Sequence, residues 1–160
     1  MAAPPRGNTG YSCYFITAST FQKRSLFHRE TMASLFLDVL FHYRQLDRYR
    51  LHEFVLMPDH YHLLITPTET LERALQLIKG GFSFRAKKDL GFGGDVWQKS
   101  FYDRRVRDVA EYCAYREYIY RNPVKRMLVS VATDYLYTSA RPGFDLNSLP
   151  KRLNPISVGA

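Results

Sequence analysis

The sequence predicts an α+β domain, one antiparallel sheet with helices packed on it, and three observations carry that prediction. Short apolar stretches rich in aromatic and β-branched residues alternate with longer stretches of helical period. Two of the short stretches are separated only by Pro58-Asp59, a turn pair, so they must be antiparallel neighbours. The resulting order is strand, helix, strand, strand, helix, strand, helix, which one sheet and a layer of helices can bury. At 160 residues the chain is long enough for a proper core in one domain.

Taken in order, YSCYFITAST (residues 11–20) has the composition of a first strand. Met32, Leu35, Phe36, Val39, Leu40 and Tyr43 recur at helical spacing and predict a helix over 30–46. LHEFVLM and HYHLLIT then form the hairpin. A second helix follows, with Leu71, Ala74, Leu75, Ile78 and Phe82 on one stripe and Glu69 and Glu72 near its positive N-terminal end. Gly91, Gly93 and Gly94 mark a loop, and VWQKSFYDRRVR reads as a strand or extended segment. Asp108 caps a third helix with Glu111 in the capping-box position, and that helix should stop at Asn122, because the residue before a proline is pushed out of α geometry. The expected organisation is a flexible N-terminus over 1–10, the folded unit over 11–138 and an extended or disordered arm over 139–160, where prolines break any pattern.

Hydrophobic residues make up 46% of the chain, which excludes wholesale disorder. No stretch approaches a membrane span, and MAAPPRGNTG lacks the apolar core of a signal peptide, so a cytoplasmic protein with no membrane partner is expected. Cys13 and Cys113 have no metal-site spacing and should be reduced thiols. The net charge of +8 is localised: residues 79–107 hold eight Lys/Arg against three acids, and 116–126 hold four against one. Basic residues this concentrated favour a polyanionic partner. Candidate DNA contacts are Lys79, Arg85, Lys99, Arg104, Arg105, Arg107, Arg121, Lys125 and Arg126. Trp97, Phe101 and Tyr102 interleave with several of them, as on a surface that stacks bases and tracks phosphates.

The chemistry lies in two short motifs. His60 and His62 flank Tyr61 on a predicted strand, so the period of two puts both imidazoles on one side, able to hold one metal ion. Tyr118 and Asn122 are four residues apart on a predicted helix, so a phenol and a carboxamide share one face. A metal on the two imidazoles, with the Asn122 oxygen as third ligand, could polarise a phosphate while Tyr118 attacks it. Tyr112, Tyr115 and Tyr120 crowd the same helix, and Tyr118 is preferred because only it has an amide four residues on. Lys79-Gly80-Gly81 interrupts the second helix at about 1 kcal/mol per glycine, which close approach to DNA or tight packing would explain.

These motifs also carry a family likeness. VLMPDHYHLLI, then IKGGFSFR, then VWQKSFYDRRVRD, then EYIYRNPVKRMLV, in that order over residues 11–130, resemble the REP-associated tyrosine transposases, a branch of the single-tyrosine HUH transposases. The resemblance implies a ferredoxin-like sheet, a divalent metal (Mg²⁺ or Mn²⁺) and a 5′-phosphotyrosine intermediate on single-stranded DNA. The expected substrates are repetitive extragenic palindromes folded as hairpins. By position it makes His60, His62 and Asn122 the metal ligands and Tyr118 the nucleophile. In the wider group the third ligand is usually glutamine, so Asn122 departs from that pattern and matches the REP-associated branch. The expected function is therefore a metal-dependent single-strand endonuclease and strand transferase, as monomer or homodimer. Two rivals use the same residues differently: a non-catalytic nucleic-acid-binding module that does not need Tyr118, and a zinc hydrolase that activates water on the histidines.

Overall fold

The computed structural model describes residues 12–151 and 153. The expected flexible N-terminus lies outside the described residues, as does most of the last stretch of the expected C-terminal arm. The elements are β1 (Cys13–Ser19), α1 (Glu30–Gln45), β2 (Tyr49–Met57), β3 (His60–Pro67), α2 (Leu71–Leu90), β4 (Tyr102–Val106) and α3 (Val109–Lys125), with short 3₁₀ turns between some of them. The strands form one antiparallel sheet in the order β2-β3-β1-β4. Two interlocked βαβ units give this order, so the sheet with α1 and α2 is ferredoxin-like. The α3 helix is an addition on the opposite face.

Two apolar layers follow from the alternation of the strands. Ile16, Leu63 and Ile65 face α1 and α2 and pack with Phe36, Leu40, Ile78 and Phe82 in the larger core. Each such side chain contributes roughly 1.5–3 kcal/mol by leaving water. Trp97 joins this layer against Phe27, Phe36, Tyr61 and Phe82, and its indole N–H donates to the Lys79 carbonyl at 2.9 Å. It is therefore partly buried and packs its ring against the core, whereas Tyr102 stays exposed. On the other face Cys13, Phe15, Val55, Leu64 and Val106 meet Tyr112 and Ile119 of α3 in a smaller cluster.

Thr70 caps α2, its hydroxyl accepting from the Arg73 N–H at 3.1 Å, and Gly91 closes it at φ 66°. The helix runs straight through Gly80 and Gly81. A Cβ on Gly81 would come within 2.8 Å of the Tyr43 ring, so tight packing on α1 is the reason for that glycine. Asp108 caps α3, accepting from the Glu111 N–H at 2.8 Å. The expected stop at Asn122 is corrected: α3 continues to Lys125 with Pro123 inside its last turn. The preference of pre-proline residues is outweighed because Asn122 and Pro123 are both buried against the sheet. The turn then closes with the Met127 N–H on the Val124 carbonyl and the Leu128 N–H on the Pro123 carbonyl, both at 2.9 Å. That is a Schellman closure, with Met127 at φ 58° where glycine is usual.

The segment after residue 134 runs extended along the free edge of β2. Leu56 N–H donates to the Tyr137 carbonyl (2.8 Å), Ser139 N–H to the Phe54 carbonyl (2.9 Å) and Asn147 N–H to the Leu51 carbonyl (2.8 Å). Phe144 packs against Phe41 and Phe54. The β2 edge is thus covered by its own chain.

Candidate active site

The α3 face of the sheet carries the residues that matter. Alternation places His60, His62 and Leu64 of β3 on it with Phe15, Thr17 and Ser19 of β1 and with Tyr102, Arg104 and Val106 of β4. The two-residue turn at Pro58-Asp59 pairs Met57 with His60, which puts the histidines at the turn end of the hairpin. Their ring centroids are 4.8 Å apart.

Each imidazole is held by its Nδ1. In His60 that atom lies 2.6 Å from an Asp59 carboxylate oxygen. In His62 it lies 2.8 Å from the Thr17 hydroxyl, because the β1–β3 register sets these two residues directly opposite. Partners at Nδ1 leave Nε2 of each ring as the nitrogen that could bind a metal. Burial lowers the His60 pKa, with the Asp59 carboxylate opposing. Burial takes His62 down to about 3, reinforced by His60 and by the Arg126 charge. Both rings are therefore neutral and available as ligands across the physiological range.

The α3 helix delivers the other two groups from the same chain. The Tyr118 ring stands edge-on to His62 with centroids 5.2 Å apart, and also edge-on to Phe15 at 5.9 Å. One turn later, Asn122 brings its amide nitrogen to 3.3 Å from His62 Nε2. The Asn122 amide oxygen is buried with no hydrogen-bond partner. An unpartnered buried oxygen is costly unless something occupies it, and the amide that carries it reaches His62 through its nitrogen. Two imidazole nitrogens and an amide oxygen fit a divalent cation. Among the described residues no cluster of three or more His, Cys, Asp or Glu offers an alternative site.

The other tyrosines of α3 are otherwise engaged. Tyr112 is buried and its phenol is held well above its ordinary range by burial. Tyr115 stacks on Phe15 at 4.4 Å. Tyr120 donates to both oxygens of Glu53, at 2.7 and 3.0 Å, and burial with this bond raises its pKa. Tyr118, 44% exposed, is the tyrosine of α3 that combines proximity to the histidines with access from solvent.

The basic residues do not form one track. Arg104 shares the histidine face, and the charge of Arg126, just past α3, reaches both histidines. Lys99 and Lys125 are exposed, and so is Arg107, whose N–H donates to Glu111. Arg105 projects to the α1/α2 side, where its charge acts on Tyr14. Arg85 lies on α2 behind the sheet, paired with Asp89 at 3.2 Å. Arg121 pairs with Glu117 on the outer side of α3. Lys79 donates to the Gln98 carbonyl at 2.7 Å, so its ammonium braces a loop. Arg85, Arg105 and Lys79 thus lie off the histidine face, because helical and strand phase carries them elsewhere. Sequence reasoning missed Thr17, Asp59 and Phe15. Only Asp59, adjacent to His60, left a local signal.

Both cysteines are free. Cys13 is buried, which pushes its thiol up to about 12, and Cys113 is half-buried. No helix among the described residues is long and apolar enough to cross a membrane.

Comparison with known proteins shows the family and the fold. The model of the family described as "Transposase IS200 like" matches residues 10–122, from just before β1 to Asn122. A Haemophilus influenzae protein provisionally named a REP-associated tyrosine transposase is 29% identical over 96 residues, which cover 52% of this chain and 54% of that protein. The chain therefore spans about half the length of that relative. A second H. influenzae protein, uncharacterised, is 28% identical over 144 residues, covering 69% of this chain and 79% of its own. Among solved structures, a REP-associated tyrosine transposase bound to a REP hairpin superposes with a TM-score of 0.72 at 22% identity, over 87% of this chain and 82% of that one. A Deinococcus radiodurans protein, provisionally a transposase, gives 0.51 at 23% identity over 73% and 95%. With more than half its length matched by the family model, this chain belongs to the IS200-like transposase family.

Proposed function

We propose that this protein is a metal-dependent endonuclease and strand transferase for single-stranded DNA, acting on hairpins of the REP type. The observation that carries the reading is the meeting of Tyr118, His62 and Asn122 within one chain, with an exposed phenol beside two neutral imidazoles and an orphaned amide oxygen. The hairpin as substrate is carried over from the solved relative that holds one.

His60, His62 and Asn122 would hold a divalent ion, whose chemistry when bound is to polarise the scissile phosphate and stabilise the leaving oxygen. Asp59 and Thr17 keep the two rings oriented for it. Tyr118 oxygen bonds to phosphorus as the P–O3′ bond breaks. The phenol loses its proton, the 3′ oxygen gains one, and the 5′ phosphate stays on the tyrosine. Attack by a free 3′ hydroxyl reverses the step and transfers the strand, so no nucleotide cofactor is consumed. The exposure of Tyr118 lets DNA reach it without opening the core.

The test is a covalent one. Hairpin-containing single strands are incubated with the protein and Mn²⁺ or Mg²⁺, then run under denaturing conditions. A protein-linked strand is expected with wild type, with Mn²⁺ at least as effective as Mg²⁺ because nitrogen ligands suit it better. Tyr118→Phe should bind DNA and give no adduct, and Tyr120→Phe should still give one. Full cleavage by Tyr118→Phe, or undiminished cleavage in excess chelator, overturns the reading.

A further inference from the structure

Beside the histidines, on the same face of the sheet, an open pocket of about 320 Å³ is lined by Thr17, Ser19, Lys23, Gln98, Ser100, Phe101 and Tyr102. It adjoins the site directly: Thr17 and Ser19 are the residues paired with His62 and His60. On its far side Tyr102 pairs with Thr17 across β1 and β4, and its ring is 52% exposed. The lining offers two aromatic rings, a carboxamide, four hydroxyls counting the Tyr102 phenol, and an ammonium. The volume lies at the lower end of small-molecule sites, on the order of 300–1,000 Å³.

The pocket is built from strained and braced backbone. Gln22 and Lys23 are consecutive left-handed residues, at φ 56° and 51°, a conformation that crowds the Cβ of any non-glycine residue. Such strain persists only where the surroundings fix it, and it concentrates at ligand clamps. Four hydrogen bonds do the fixing: Thr20 N–H to the Asp59 carbonyl, Phe21 N–H to the Val96 carbonyl, Lys23 N–H to the Thr20 carbonyl and Gln22 N–H to the Gln98 amide oxygen. The result carries Lys23 to the pocket, near enough to the metal site for its charge to act on His60. Gln98 is fixed on both sides, its N–H on the Ser19 carbonyl at 3.0 Å and its own carbonyl on the Lys79 ammonium. With the Gln98 amide oxygen turned to Gln22, its NH₂ is the end left to donate.

We infer that this pocket takes one unpaired nucleotide next to the scissile phosphate, with its base stacked on Tyr102 and read by the Gln98 amide, and its phosphate on Lys23. The inference rests on the proposed function and adds the base that positions the strand. Stacking on an exposed ring supplies affinity for any base, and the carboxamide supplies the preference. Lys79, Trp97 and the strained turn are then the scaffold of the pocket.

The probe is a hairpin-bearing single strand with 2-aminopurine placed in turn at each position around the cleavage point, bound to the full chain without added metal. One position is expected to be quenched on binding. That quench should be lost in Tyr102→Ala and kept in Tyr102→Phe. With natural bases at that position, Gln98→Ala should reduce discrimination between them by roughly tenfold. Binding without a Tyr102-dependent quench at any position overturns the pocket assignment and leaves the proposed function standing. A wild-type protein that neither binds nor cleaves the strand overturns both.

Discussion

Thr17 and His62 face each other across the β1–β3 ladder, the threonine hydroxyl 2.8 Å from His62 Nδ1. The pair ties the edge of the proposed metal site to a strand that supplies none of the proposed ligands, and it fixes which ring nitrogen is free. Asp59 does the same for His60 from within the hairpin turn.

Thr17→Val keeps the shape and removes the hydroxyl. Partners behind a ligating imidazole typically matter by about 10- to 100-fold in metal affinity. Mn²⁺ affinity measured by calorimetry should fall about tenfold, with the thermal midpoint little changed. Equal affinity in the two proteins would show that the hydroxyl does not orient the ring.

Strand phase divides the arginines. Arg104 and Arg126 lie at the site, whereas Arg105 and Arg85 lie behind the sheet. Replacing Arg104 and Arg126 by alanine should flatten the plot of log affinity against log salt by roughly 1.4 units, at about 0.7 per single-strand contact. The Arg85→Ala, Arg105→Ala pair should leave the slope unchanged. The opposite result would move the phosphate path to the α1/α2 side.

Met127 occupies the left-handed position of a Schellman closure and its side chain is 89% exposed. Glycine there relieves the Cβ strain and gives up little packing, so Met127→Gly should stabilise the fold by about 1 kcal/mol, a rise of about 2–4 °C. Differential scanning calorimetry checks it, and a lower midpoint would mean that the methionine makes contacts worth more than its strain.

His52 sits at the β-bulge between Leu51 and Glu53, its Nδ1 2.7 Å from the Ser148 carbonyl and its Nε2 2.8 Å from the Thr66 hydroxyl. Burial lowers its pKa below 6.5, aided by the Arg50 charge and opposed by the Ser148 and Asn147 carbonyls. As pH falls below 6.5 the unfolded chain takes up a proton that the folded chain does not, so stability drops with pH. His60 and His62 have the same sign, and Glu53, whose pKa is raised, has the opposite one. The difference in urea midpoint between wild type and His52→Gln removes these shared contributions. It should shrink as pH falls from 6.5, and a difference independent of pH would show that the ring does not titrate differently on folding.

Local periodicity by itself determined the groups that could act together. A His-x-His in a strand shares a face, a Tyr and an Asn four apart on a helix share a face, and Asp108 with Glu111 starts that helix, because strand and helix repeats operate over a few residues. The α+β class and the hairpin at Pro58-Asp59 were legible for the same reason. Tertiary structure decided everything that depends on partners far along the chain. The β1–β3 register chose Thr17 to support His62, and the β1–β4 register sent Arg104 to the site and Arg105 away from it. Burial of Asn122 and Pro123 carried α3 past the expected stop, and core packing claimed Trp97 and Gly81. Pairing along the β2 edge ordered the segment after residue 134 through Asn147 and Ser139, which no local pattern announces. Register and burial are set by the energy of contacts between distant segments, and a pattern of neighbouring residues holds no record of them.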